Sequence, residues 1–418
     1  MSGLAFTRAP AAALPMRFLL VAQAWGVGAG LWLAWQGEVA LTSRWTPATL
    51  VLVHLLALGL LGNAMLGSLV QFLPVAAASP MPAQRCVAWL HACFNAGLAA
   101  LLPALAMPLH GLAPLAAVLL GSSLVGFAGL ALFALWRGNG HRAVRDGIGM
   151  AMLALLATLA LGLVLLAARS GWRAPASPAL VNLHASVGGI GWMLGLLTAV
   201  GSVTLPMLQG TRAIPSSWLR GTQAALLATL AVAIGTCAAL LPEAAWRGMA
   251  LPFLLFAGGV LLAHWRTPHR RNPLLRRFWR WGSIALSCGA VAALLPGAHV
   301  LLVGMLLLGI GLPLLVVGMM LEITGFLAWI ALRQRVARGL RVPGVGSLFD
   351  ATAKRRVLHA HLAAAACLLA ALALPVLAGG AGLLLAIAHG SGLHAQWRCW
   401  HQIRQWPATG AGSPPGTA

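Results

Sequence analysis

HLLALGLLGNAMLGSLVQFLP, residues 54–74, contains no acidic residue, lysine or arginine, and its one ionisable group is the histidine at its head. A helix rises 1.5 Å per residue and the hydrocarbon core of a bilayer is about 30 Å thick, so about 20 such residues cross it. The stretch therefore reads as a spanning helix. Working outward, comparable apolar runs punctuated by Arg, Pro or Gly fall near 15–36, 48–77, 84–107, 112–136, 146–168, 178–208, 219–241, 247–265, 279–296, 298–331, 357–377 and 379–397. The expectation is an all-α polytopic membrane protein of about twelve transmembrane helices. The run at 298–331 is long enough to hide a kink, and 357–397 is divided only by the glycines of LAGGAG. Composition agrees, with 60% apolar residues and 8% charged, against about 25% charged in soluble domains. What remains for loops excludes a dinucleotide-binding enzyme, a secreted disulfide scaffold and a disordered chain.

Of the 27 basic residues only Lys354 is a lysine, and five acids oppose them. These charges sit in loops between apolar runs, where they set topology, so nucleic acid is not an expected partner and the lipid bilayer is. Under twelve spans, the termini and even-numbered loops carry 23 of the 27. That asymmetry places both termini in the cytoplasm. The preference for Arg over Lys, with abundant Ala, Gly and Leu, resembles the usage of a GC-biased bacterial genome and hence an inner-membrane location. Residues 1–14 read as a cytoplasmic N-terminus, 15–400 as the membrane domain and 407–418 as a disordered tail. The run from Phe18 to Trp35 is too long and tryptophan-rich for a cleaved signal. No CxxC pair occurs among the six cysteines, and all but Cys399 lie in apolar runs, so no structural disulfide is expected. Arg266, Arg270, Arg271, Arg276, Arg277 and Arg280 are expected to meet anionic headgroups. Trp35, Trp45, Trp172, Trp246, Trp279 and Trp281 stand near span ends, as an interfacial belt requires.

Overlaying the spans in groups of four reveals self-similarity, giving repeats at about 15–136, 146–265 and 279–397. Span 2 has His54, Gly59 and Pro74 at offsets 0, 5 and 20; span 6 has Ser186, Gly191 and Pro206 at the same offsets, with His184 two residues earlier. Span 10 has His299 and Gly304 at spacing five, without the proline. A weaker echo links RCVAWLHA of span 3 to RRVLHAHLA of span 11, each placing a His four residues after a Val (Val87 to His91, Val357 to His361). Under the charge-derived topology His54, His184 and His299 share the outer leaflet. An imidazole in lipid is costly unless it faces the bundle interior and is bonded or ligated. These three are thus either neutral donors to backbone carbonyls or ligands, and the glycine after each marks either close helix packing or room for a flat macrocycle.

His54, Gly59, Gln71 and Pro74 on span 2, His184, Gly191 and Trp192 on span 6, and twelve spans in three repeats together resemble the haem–copper oxidase subunit I fold. The likeness is nearer to its small divergent relatives, the NnrS-like and oxidase-subunit-I-like bacterial membrane proteins, and covers roughly residues 15–400. It implies haem b held by His54 and His299, a metal (copper in the family) or second-haem position at His184, and a redox partner or companion oxidase subunits. The implied role lies in redox or nitric-oxide/oxygen-related metabolism. Departures restrict it: span 7, WLRGTQAALLATLAVAIG, has no His pair, the chain has no tyrosine, and its one HxH, His359-Ala360-His361, is on span 11. A proton-pumping terminal oxidase is therefore not expected.

Glu322 is the one acid well inside a span, to be read as a proton relay or as a satisfied structural partner. His91 and His361 in the inner leaflet form either a second ligand pair or interhelical hydrogen bonds. The two rings of the HxH stand about 200° apart, so one faces inward. Met319 and Met320 read as packing, and His141, His264 and His269 as solvated. Two other functions fit the same residues: a cofactor-free transporter or channel with a polar path through His54, His184, His299 and Glu322, and an assembly subunit with a degenerate site.

Overall fold

The computed structural model describes residues 10–107, 111–267, 271–336 and 342–406, and among these every regular element is helical. The principal helices are α1 (Ala13–Leu41), α2 (Pro47–Val75), α3 (Gln84–Ala106), α4 (Leu112–Arg137), α5 (Arg142–Arg169) and α6 (Pro178–Gln209). They continue with α7 (Ser216–Cys237), α8 (Glu243–Trp265), α9 (Pro273–Leu294), α10 (Val300–Arg335), α11 (Ala351–Ala373) and α12 (Pro375–Arg404). Eleven of the twelve are long and apolar enough to cross a membrane, consistent with a multi-pass membrane protein. The exception is α9, expected as the ninth span. It forms, but Arg276, Arg277 and Arg280 crowd its first turns and lower the apolar character of the whole helix.

Helix starts follow from local chemistry. Spans α2 and α6 open on one motif, Thr46-Pro47-Ala48 and Ser177-Pro178-Ala179, in which the hydroxyl accepts from the backbone N–H of Thr49 or Leu180 and proline occupies the first helical position. Asp350 caps α11 by accepting from the N–H groups of Thr352 and Ala353. Pro375, not the glycines, divides α11 from α12. A residue before proline is driven out of the helical region, and Leu374 sits at φ −128°, ψ 83°, while Gly379, Gly380 and Gly382 lie inside α12.

Arginines finish several helices. The last carbonyls of a helix have no partner within it, and arginine side chains donate to those of neighbouring helices. Arg169 reaches Leu105 O at the end of α3, Arg145 reaches Leu135 O at the end of α4, and Arg335 reaches Ile403 O and Arg404 O at the end of α12. Arg276, expected at the headgroups, is instead buried and donates to His264 O. His264, expected in solvent, is buried with Nε2 donating to Gln209 Oε1 at 2.7 Å. Trp279 is likewise buried, whereas Trp35, Trp45, Trp172 and Trp281 are exposed. His269, residues 1–9 and the 407–418 tail lie outside the described residues.

The chain divides into two compact units. Phe72–Arg276 and Ser283–Leu307 make the first; Arg277–Gly282 with the described parts of Phe6–Gln71 and Leu308–Ala418 make the second. Within the first, α3, α4, α5 and α6 pack in succession, followed by α7 and α8. Within the second, α11 packs on α12, α12 on α1, and α1 on α2, with α10 also against α12 and α1. The closest of these approaches, α1 on α12, is built on small residues. Gly26 and Gly30 on α1 face Ala386 and His389 on α12, and Gly382 faces the backbone of Ala34. Lipid tails are as apolar as leucine, so helices in a membrane associate through such close van der Waals contact.

Candidate functional site

Three helices carry a long π-helical segment, and α6 ends in a second, short one at Leu205–Gln209. π-helix occupies Leu55–Gly62 in α2, Val187–Leu194 in α6 and Met305–Gly311 in α10. The last lies in the long run expected to hold a kink. π segments inside α-helices concentrate at functional positions. In α2 the wider turn is satisfied by Asn63, whose amide donates to Gly59 O at 2.9 Å, and in α6 by Thr198, whose hydroxyl donates to Leu194 O at 2.8 Å.

His54 immediately precedes the first segment, and its Nδ1 donates to Leu50 O at 2.8 Å. A carbonyl can only accept, so the ring is the Nδ1–H tautomer and Nε2 keeps its lone pair. His184 lies just before the second segment, with Nδ1 donating to Thr158 O at 3.1 Å on α5 and Gly162 against its Cε1. Ligating histidines carry this second-shell bond almost without exception. The third segment starts at Met305, so Gly304, not His299, holds the place in α10 that His54 holds in α2. His299 is an exposed residue at the N-cap of α10. It belongs to the first unit and His54 to the second; His91 and His361 divide in the same way.

The glycines five residues after each histidine position also resolve. A Cβ on Gly59 would stand 2.7 Å from Trp25 Cβ, and one on Gly191 2.7 Å from Ala154 Cβ. At both, close packing takes the space a macrocycle would need, while Gly304 faces open space.

A second set of polar groups lies inside the second unit. On α12, His389, Gly392, Gln396, Cys399 and Ile403 are spaced three and four apart, and all are buried on one stripe. His389 Nδ1 donates to Gln23 Oε1 on α1 at 2.8 Å, and its ring centre lies 4.8 Å from that of His361 on α11, the planes at 87°. His361 Nδ1 donates to Val357 O at 2.8 Å, and His359 faces away, exposed. Gln396 Nε2 donates to Thr324 Oγ1 on α10 at 2.9 Å. Cys399, expected outside the apolar runs, is buried and donates to Leu348 O. Glu322 accepts from Lys354 Nζ at 2.8 Å, both side chains only 11% exposed, so the intramembrane acid has an ionic partner.

Sequence reading singled out His361, which it set beside His91, and Glu322, for which it named no partner, and it missed His389, Gln23 and Gln396. A signal was present: a glutamine on span 1 and a histidine and glutamine seven apart on span 12, each within an apolar run. Met319 and Met320 are buried among apolar neighbours. All six cysteines are free, and among the described residues no group of three or more His, Cys, Asp or Glu side chains converges to hold a metal. No protein-family model and no curated protein matches the chain.

Proposed function

We propose that the chain is a haem-binding membrane protein of redox or nitric-oxide/oxygen-related metabolism, related in fold to haem–copper oxidase subunit I and short of a full oxygen reductase. The observation that carries this reading is His54, which heads a π segment with its Nδ1–H committed to Leu50 O and its Nε2 lone pair available as an axial ligand. Support for the repeats comes from the π segments of α2, α6 and α10 and from the two successions α11–α12–α1–α2 and α3–α4–α5–α6, in each of which the π-bearing helix comes last. This shifts the repeat boundaries from those read along the sequence.

At the level of donors the group fits: His54 supplies the tautomer that iron ligation requires. Trp25 fills the side of α2 at Gly59, which closes that side of the helix. When bound, haem would supply a one-electron couple. The Leu50 carbonyl orients the imidazole and raises its basicity, and the apolar helices around it exclude water. His184, held by Thr158 O, is the position for an associated copper.

Protein purified in detergent from haem-replete cells should show a b-type absorption spectrum that shifts on dithionite reduction, and His54→Ala should abolish or alter it. A colourless preparation would remove the reading and leave the cofactor-free transporter, which the buried stripe of α12 and the Glu322–Lys354 pair favour. We further place the protein in a bacterial inner membrane with both termini cytoplasmic. A fluorescent reporter fused after Pro407 should then light up, and a reporter active only in the periplasm should stay silent.

A further inference from the structure

The pair His361 and His389 has a chemistry that the haem reading does not use and that the transporter reading leaves unspecified. Each Nδ1 donates to an oxygen that can only accept, Val357 O or Gln23 Oε1, so both rings are Nδ1–H tautomers. Each therefore presents an unprotonated Nε2. Neither Nε2 has a hydrogen-bond partner, and both residues are buried, His389 completely. Two lone pairs cannot satisfy one another, and a buried polar atom without a partner costs free energy. What each lacks is a donor or a cation, and one cation between them would satisfy both.

We propose that His361 and His389 are the protein ligands of an intramembrane site for one Cu(I) ion. Charge argues for a monovalent ion. The groups around the pair on α1 and α12 are neutral, Gln23 and Gln396. The nearest acid on α10, Glu322, is already paired with Lys354, itself two turns from His361 on α11. With no carboxylate to offset it, a divalent ion held by two neutral nitrogens near the membrane centre would be far costlier. Imidazole is a competent copper ligand, and structural zinc would require two further donors that are not there.

Geometry is consistent with this choice. With metal–nitrogen bonds of about 2.0 Å, rings on opposite sides of an ion stand with centres more than about 6 Å apart. The observed 4.8 Å therefore calls for a bent arrangement with positions left open for a further ligand. The surroundings are shaped for the two polar side chains. A Cβ on Gly26 would stand 2.5 Å from His389 Cγ, and one on Gly392 2.6 Å from Gln23 Nε2, so two glycines make the room that the imidazole and its amide clamp occupy. Gln23 is a positioning residue, fixing the His389 tautomer as outer-shell partners of ligating histidines do. From Cys399 to His389 the stripe on α12 covers ten residues, about 15 Å or half the hydrocarbon thickness. Between the pair and the Arg335–Arg404 end this stripe carries one thiol, Cys399, and one amide, Gln396.

The test uses the full chain in detergent, loaded with Cu(I) under reducing anaerobic conditions, with metal content read by mass spectrometry and affinity by competition with a chromogenic Cu(I) chelator. Wild type should retain about one competition-resistant copper per chain. His361→Asn and His389→Asn, which keep a polar group of similar size, should lose it, and Gln23→Leu should weaken it by about 10- to 100-fold. His359→Ala, exposed two residues away, should leave it unchanged, and the absorption spectrum of His54 serves as a separate readout of the haem reading. Wild type that takes up no copper would overturn the proposal. So would copper that survives in the His361→Asn/His389→Asn double variant or is lost only with His184→Ala. Finding both rings metal-free but titrating together by histidine-labelled NMR would assign the pair to a proton instead, and equally overturn it.

Discussion

Lys354→Met is expected to destabilise the protein by about 3–5 kcal/mol, because it strands the Glu322 carboxylate inside the second unit. The ammonium lies 2.8 Å from Glu322 Oε1, with 11% of each side chain exposed, and 5.1 Å from the centre of the Phe349 ring. Removing the carboxylate instead, as Glu322→Leu, strands the ammonium and should cost a similar amount. The double variant should recover most of the loss, since a buried ion pair replaced by well-packed apolar groups is often neutral or better. Thermal unfolding followed by size-exclusion chromatography in detergent measures this cycle. Equal midpoints for wild type and both single variants would mean that the pair is solvated and contributes little. Replacement by Arg is not conservative here: its planar fork is larger than the point-like ammonium seated between α10 and α11.

Val in place of Gly30 or Gly382 should be as damaging by a different route. A Cβ at Gly30 would strike the backbone of Ala386, and one at Gly382 the backbone of Ala34. Backbone cannot rotate aside as a side chain can, so α1 and α12 must move apart. Overpacking typically costs about 1–3 kcal/mol and more where nothing yields. Gly380→Val, where a Cβ would meet nothing, is the control expected near wild type apart from its helix propensity. Unfolding midpoints separate the two classes, and unchanged midpoints at Gly30 and Gly382 would show that the interface can yield at no cost.

Much of the architecture was legible because lipid imposes it. Apolar length marked the helices, with ends displaced by up to about seven residues, while the Thr46-Pro47 and Ser177-Pro178 caps that start α2 and α6 went unread. The failures share a physical origin. Pro375 was passed over in favour of neighbouring glycines, although in a packed membrane helix glycine serves contact more than bending. Arg276 was read as a charge facing the headgroups, while its role as a donor to a bare carbonyl of another helix, like that of Arg169, depends on which helix ends are adjacent. The site was least legible. His54 and His184 were singled out by repeat position, but the partners of His361 and Glu322 sit on the next helix along, at places that no spacing within one span predicts. In an apolar run a lone Gln23 or His389 carries no periodic signal of what it meets.

The π segments of α2, α6 and α10 leave a mark on the phase of these helices. A π turn takes one residue more than an α turn, and one residue of α-helix corresponds to about 100° of rotation. The stretch ahead of each segment is therefore rotated relative to the stretch behind it, and a single helical wheel drawn through Pro47–Val75 in phase with Asn63–Val75 misplaces the leading stretch Pro47–His54. Gaining or losing one residue within Leu55–Gly62, Val187–Leu194 or Met305–Gly311 would turn only the short leading portion that bears His54, His184 or Gly304. The long trailing portion and the loop beyond it would stay seated. These three long segments are thus places where the chain can change length by one residue and re-aim a side chain without rebuilding the bundle.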